Sequence, residues 1–169
     1  FSGCVFLPKD RGITPSFRPQ IARDKAPNLL RDVTTAEDNA RLLIATGALD
    51  SCDAVPRYRW LFLTKAADAF ALLLQKNGAV GGRLGGFFKN QGVIHAQSGG
   101  VNATLQVYKD GRLVYENTSN THLKQGDCTT ADAAVRIYYQ HFSFQEELYV
   151  AILHAGPHPD RDITCLCDL

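Results

Sequence analysis

Six side chains able to ligate a metal or carry protons fall between positions 154 and 167: His154, His158, Asp160, Asp162, Cys165 and Cys167. Imidazole, carboxylate and thiolate together build zinc sites. A secreted hydrolase or other metal-dependent enzyme is the activity such a set would serve. No pair among them has the spacing of a known zinc signature, and Gly156, Pro157 and Pro159 interrupt the segment. A polar loop with disulfide cysteines is therefore the stronger reading, and neither a metal nor another cofactor is expected. Other chemistry is thinner still. Gln97-Ser98-Gly99 lacks the first glycine of a nucleophile elbow. Gly81-Gly82 and Gly85-Gly86 lack the lysine and hydroxyl that follow a phosphate loop, and read as tight turns. No catalytic residue is assigned.

The cysteines number five, an odd count that leaves at least one free or bridged to another chain. Cys4, Cys52, Cys128, Cys165 and Cys167 are the disulfide candidates. Cys165 and Cys167 stand two apart, so on a strand both point to one face and cannot easily join each other. One is expected to reach Cys128, the other Cys52, Cys4 or another chain. Asn102-Ala103-Thr104 and Asn117-Thr118-Ser119 are glycosylation sequons, making Asn102 and Asn117 candidate acceptors. With the cysteines they lean towards a secreted or cell-surface protein.

The totals exclude other classes. A net charge of +1 gives no electrostatic case for nucleic acid or an anionic membrane. No apolar run approaches the roughly 20 residues that cross a bilayer. At 169 residues one domain is expected. No signal-peptide pattern and no methionine occur, so the chain reads as a mature product or an excised fragment.

The elements that must position these residues are mostly strands. Residues 1–39 hold four of the seven prolines and little periodicity, and read as a stalk or extension, irregular or partly helical, with a helix start at Thr34–Asp38. Leu42–Gly47 suits either a continuing helix or a short buried strand. Trp60–Leu63 reads as strand. Ala66–Leu74 is rich in alanine, but its apolar alternation and the following Asn77-Gly78 favour strand and hairpin. Val93–Gln97 and Ala103–Tyr108, joined by Ser98-Gly99-Gly100, read as antiparallel neighbours. Asp110-Gly111 marks a second hairpin, to Leu113–Tyr115. Ala133–Tyr139 and Leu148–Leu153 follow, with a turn at Glu146-Glu147, and Ile163–Leu169 closes the sheet. Many short strands at turn spacing predict an all-β, antiparallel two-sheet jelly-roll sandwich over residues 40–169.

Over those residues the chain resembles a tumour necrosis factor homology domain. Arg41–Gly47 is similar to the family's first strand, ending in a small residue, threonine and glycine. Trp60, then Ala69–Leu73 and Asn77-Gly78, resemble its tryptophan and apolar stretch before a turn. Gly92–Ser98, Cys128-Thr129, Glu147–Val150 and Pro159–Thr164 resemble later segments. Cys165-Leu166-Cys167 stands where the family usually carries Phe-Phe-Gly, and no cysteine near Ser98–Val101 matches its frequent disulfide to the counterpart of Cys128. The resemblance implies a secreted or shed cytokine-like ligand that homotrimerises and binds a cell-surface receptor. It places receptor contacts in 53–59, 110–116 and 154–162, hence Arg57, Tyr58, Arg112, Tyr115, His158 and Asp160. The aromatic set Tyr138, Tyr139, Phe144 and Tyr149, with His95, would form the trimer interface. A C1q-like or lectin-type recognition module on the same architecture is the near alternative.

Overall fold

The structure is a computed structural model that describes residues 41–127 and 129–169. The chain runs β1 (Leu42–Ile44), α1 (Trp60–Gln75), α2 (Leu84–Asn90), β2 (Ile94–Ala96), β3 (Ala103–Lys109), β4 (Arg112–Ser119), β5 (His122–Gln125), β6 (Val135–Phe144), β7 (Glu147–Gly156) and β8 (Ile163–Asp168). Short 3-10 turns cover Cys52–Ala54, Arg57–Arg59 and Ala131–Ala133. A five-stranded sheet has the order β1-β7-β6-β5-β2, and a three-stranded sheet has the order β4-β3-β8. The described chain is thus mostly β, with two mixed sheets in keeping with a sandwich, and the helices add a further layer.

The hairpin of β6 and β7 forms the centre. Val135–Gln140 are buried without a break, as are Val150–Leu153, because this sheet is covered on both sides. Tyr139 meets Phe70 of α1 and Phe88 of α2 at ring distances of 5.1 and 5.6 Å. On the opposite face Phe142 stacks on Tyr115 of the small sheet at 4.7 Å. Gln140 links the sheets: its Nε2 donates to the carbonyls of Ala103 (2.8 Å) and Asn117 (3.0 Å). The turn residues Gln145 and Glu146 both have positive φ, 50° and 67°, the signs that a two-residue hairpin of right-twisted strands needs. The turn lies one residue earlier than Glu146-Glu147.

Most expected strands are present: β3 and β4 with their Asp110-Gly111 turn, β6, β7, β8, and β1 within Leu42–Gly47. Three expectations are corrected. Trp60–Leu63 and Ala66–Leu74 are not strands but parts of one helix, α1. Phe62, Leu63, Ala66, Ala67, Phe70, Leu73 and Leu74 are buried, a stripe of helical period, while Leu61, Lys65 and Asp68 face outward. Asn77-Gly78 ends this helix instead of turning a hairpin: Gly78 N–H donates to the Leu73 carbonyl (3.0 Å) and Asn77 N–H to that of Leu74 (2.9 Å). Likewise Gly85, Gly86, Phe87 and Phe88 belong to α2.

The second correction concerns pairing. β2 and β3 are not neighbours; β2 pairs with β5, and β3 with β4 and β8. Third, the sheets are not wholly antiparallel, since β1–β7 and β3–β8 run parallel. The chain leaves the small sheet after β4, builds the β5–β7 part of the large one, and returns as β8 beside β3. The expected extension at 1–39, its helix start and Cys4 lie outside the described residues, as does Cys128. Among the described residues no helix is long and apolar enough to cross a membrane.

Asn77 joins the end of α1 to the central hairpin. Its Oδ1 accepts from Leu148 N–H (2.7 Å) and Arg41 Nη1 (2.8 Å), and its Nδ2 donates to the Glu146 carbonyl (3.0 Å). Asn77→Ala is therefore expected to lower unfolding free energy by about 1–3 kcal/mol, through lost hydrogen bonds and a disfavoured positive φ. Urea denaturation followed by tryptophan fluorescence measures it.

Candidate recognition surface

The approach to α1 is short and pinned. Cys52 and Val55 are buried, and the Trp60 indole donates from Nε1 to the Val55 carbonyl at 3.0 Å. Arg59 N–H closes a turn on the Pro56 carbonyl at 2.8 Å. Between these anchors the chain turns its side chains outward: Tyr58 is 70% and Leu61 64% exposed. Each arginine lies over an aromatic ring, Arg57 over Trp60 at 5.6 Å and Arg59 over Tyr58 at 5.1 Å. Such cation–π contacts restrict where the guanidinium groups point.

Two other segments meet this rim. Arg59 Nε donates to the Ala133 carbonyl at 3.3 Å. Gly126, at φ +87°, lies beneath it; a Cβ there would stand 2.8 Å from Arg59 Nη2 and 3.2 Å from the Ala133 oxygen. The close passage of the guanidinium thus depends on a glycine. His158 N–H in turn donates to the Ala131 carbonyl at 3.2 Å. Of the six expected receptor contacts, the fold therefore connects Arg57, Tyr58 and His158. Asp160 is exposed two residues beyond, next to an exposed Arg161 at 3.9 Å that holds it weakly. Arg112 opens β4 in the other sheet, at the hairpin turn. Tyr115 is not a free contact: its hydroxyl donates to Gln140 Oε1 (3.1 Å) and its ring packs on Phe142.

The expected trimer residues separate as well. Tyr138 and Tyr139 are 1% and 0% exposed within a single chain, so their rings are core and present nothing to a second copy. The cause of this burial is the double coverage of the large sheet. Phe144 and Tyr149 are half-buried at the hairpin end, Tyr149 stacked on Phe142 at 5.4 Å. His95 is half-buried on β2 with Phe88 parallel to it at 5.7 Å. Asn102 and Asn117 are both exposed, one before β3 and one on the edge strand β4.

The residues that opened the chemical question do not converge. His154 Nε2 donates to the Pro157 carbonyl (2.8 Å) and His158 Nδ1 to that of Pro159 (2.7 Å). Among the described residues no three His, Cys, Asp or Glu side chains are grouped to hold a metal. Cys165 and Cys167 do share a face of β8, but they and Cys52 are free thiols, so the expected bridges from Cys165 or Cys167 are not formed. Burial pushes Cys52 up to about 12, with Asp53 adding to it. Burial likewise takes Cys167 to about 11, aided by Cys165 and Asp168, and raises Cys165.

A histidine pattern became visible only with the pairing. His122, Tyr138 and His154 are consecutive partners across β5, β6 and β7. The Tyr138 ring stacks on His122 at 4.9 Å and meets His154 at 6.3 Å. Burial lowers all of His95, His122 and His154 below the usual imidazole range. For His122 the charges of Arg136, Lys124 and His158 add to that, against its hydrogen bond to the Asn120 carbonyl. For His154 the neighbouring charge is His158 and the opposing bond is to Pro157. No cue within β5, β6 or β7 alone could reveal this row. Compared with family models, with curated proteins and with solved structures, the chain matches none.

Two outcomes follow from these environments. A histidine whose folded value lies below its unfolded one contributes stability above about pH 6.5, and that contribution is lost as pH falls through the folded value. Thermal unfolding is thus expected at progressively lower temperature between pH 7 and pH 5, with His122→Gln/His154→Gln flattening the dependence; scanning calorimetry across that range reads it. Separately, iodoacetamide at pH 7.5 should leave Cys52 and Cys167 unmodified in the folded protein and alkylate both in denaturant, as intact mass reports.

Proposed function

We propose that the domain is a non-enzymatic recognition module that engages a protein partner through the Arg57–Leu61 rim. The observation that carries this reading is the exposure of Tyr58 and Leu61 beside Arg57 and Arg59, each of which already lies over an aromatic ring. Tyrosine, tryptophan and arginine dominate interface hot spots, and prior ordering of their side chains reduces the entropy lost on binding. A pinned loop beside a two-sheet body also suits recognition, because the scaffold holds the loop while its side chains face solvent.

In its specific form, the module is an extracellular cytokine-like ligand with a jelly-roll body that assembles as a homotrimer and binds a cell-surface receptor. Support for that form comes from the sequence resemblance over residues 40–169, from the β-rich two-sheet body, and from the exposed sequons at Asn102 and Asn117. Phe144 and Tyr149, half-buried at the hairpin end, are the aromatics of the original set available to a subunit contact.

Fluorescently labelled protein should bind a subset of cultured cells saturably, and Arg57→Ala/Tyr58→Ala should weaken that binding at least tenfold. Absence of saturable binding on every line tried would overturn the receptor reading. Sedimentation velocity should give the mass of three chains; a single-chain mass removes the trimer and leaves the rim as a monomeric contact.

A further inference from the structure

Tyr139 is 0% exposed, and its hydroxyl has no hydrogen-bond partner among the described residues. The same holds for Nε2 of His95, also buried. These two atoms are not scattered. Both belong to one aromatic cluster on the helix side of the large sheet, with the His95 and Tyr139 rings 6.1 Å apart. Phe70 and Phe88 wall the cluster from α1 and α2, and Phe88 lies parallel to His95. α2 presses close on the far side of the imidazole, where a Cβ on Gly85 would come 3.6 Å from Nδ1. His141, exposed on β6, borders the cluster 6.5 Å from the Tyr139 ring and forms its edge towards solvent.

Orphaned polar atoms are uncommon in protein interiors, and leaving one unpaired is among the costlier arrangements a fold can contain. Two in a single cluster point to a shared partner. Burial holds both groups neutral: the Tyr139 hydroxyl stays protonated well above the ordinary phenol range, and His95 stays below the ordinary imidazole range, with His122 and His141 adding to that. A neutral phenol donates its proton, and a neutral imidazole nitrogen accepts or donates according to tautomer. Phe70 and Phe88 supply hydrocarbon walls and the neighbouring histidines no anion, so an ion there would be desolvated without a counter-charge.

We infer that His95 Nε2 and Tyr139 Oη form an interior binding site for one small neutral hydrogen-bonding molecule that bridges them. At 6.1 Å between centroids the two rings are in direct edge contact, so the bridge runs alongside them, between the two unpaired polar atoms. Water is the smallest member of the class, and a small alcohol or amide shares its chemistry.

The test is a double-mutant cycle. Tyr139→Phe removes one oxygen and leaves the ring that packs on Phe70 and Phe88. If the bridge exists, this change raises the unfolding equilibrium constant about tenfold at pH 7.5, and less than twofold in a His95→Phe background. An unchanged or more stable Tyr139→Phe protein would overturn the inference, since deleting a truly unpaired hydroxyl relieves a desolvation cost. Should His95→Phe not fold, nuclear magnetic resonance of the intact protein decides. A slowly exchanging Tyr139 hydroxyl proton with a cross-peak to long-lived water supports the site with water as ligand. A cross-peak to a co-purified molecule, released on denaturation and seen by mass spectrometry, supports it with an organic ligand. A hydroxyl proton with neither cross-peak overturns it.

Discussion

Strand β6 is covered on both faces by its own chain, and the remaining architecture follows from that. Adjacent residues on a strand point to opposite sides, so Tyr138 and Tyr139 enter different layers. Tyr139 meets Phe70, Phe88 and His95 beneath the helices, while Tyr138 lies against His122 and His154. Aromatic pairs in edge or offset geometry add about 0.5–1.5 kcal/mol beyond the area they bury. One buried polar side chain on this strand, Gln140, is satisfied on all sides: its amide donates to two carbonyls and its oxygen accepts from Tyr115. A hydrogen-bonded amide at that depth sets how the small sheet sits on the large one, because a shift would strand several partners at once.

That coverage leaves the rims as the surface open to the proposed recognition role. A sheet enclosed by its own helices and its own second sheet has no broad apolar face to share with another molecule. Among the described residues, what remains exposed, large and apolar is local: Tyr58 and Leu61 before and within the first turn of α1, Ile94 on the short β2, Leu113 and Val114 on β4, and Leu166 on β8. Among these, Tyr58 lies between two arginines held on rings, Arg59 bonds the Ala133 carbonyl and His158 bonds that of Ala131. The outer side of the small sheet is mostly polar, with Thr104 bonded to Thr118 and Gln106 to Glu116 across the strands. Such cross-strand pairs suit a solvated face.

The histidines connect acidity to the same core. His95 and His122 lie on β2 and β5, the outer ladder of the large sheet, and His154 on β7. Arg136, itself buried, and Lys124 add fixed positive charge near His122, and the two share one anion, Asp127, at 3.3 and 2.8 Å. Extra protons would therefore collect where cations already exceed anions, so the edge ladder is the part of the sheet most exposed to acid.

Local signals in the chain were sufficient for several elements. Asp110-Gly111 specified the β3–β4 turn, the apolar runs at 133–139 and 148–153 specified the hairpin strands, and the spacing of Cys165 and Cys167 put both on one face of β8. The helix at Ala66–Leu74 was hidden because a run of alanine and leucine satisfies periods of 2 and 3.6 alike, and Asn-Gly caps helices as well as hairpins. The rim was half legible: Arg57 and Tyr58 stood out by type and loop position, but their connection to Ala133 and His158 crosses long stretches of chain. Tyr138 and Tyr139 show the limit most clearly. An apolar strand reads the same whether its cover comes from its own helix or from a second copy. By itself the sequence determined most of the strands, the Asp110-Gly111 turn and the shared face of Cys165 and Cys167. Only the tertiary structure decided which strands pair, which layer covers them, and that His95 and Tyr139 meet, because those contacts join residues that no local pattern relates.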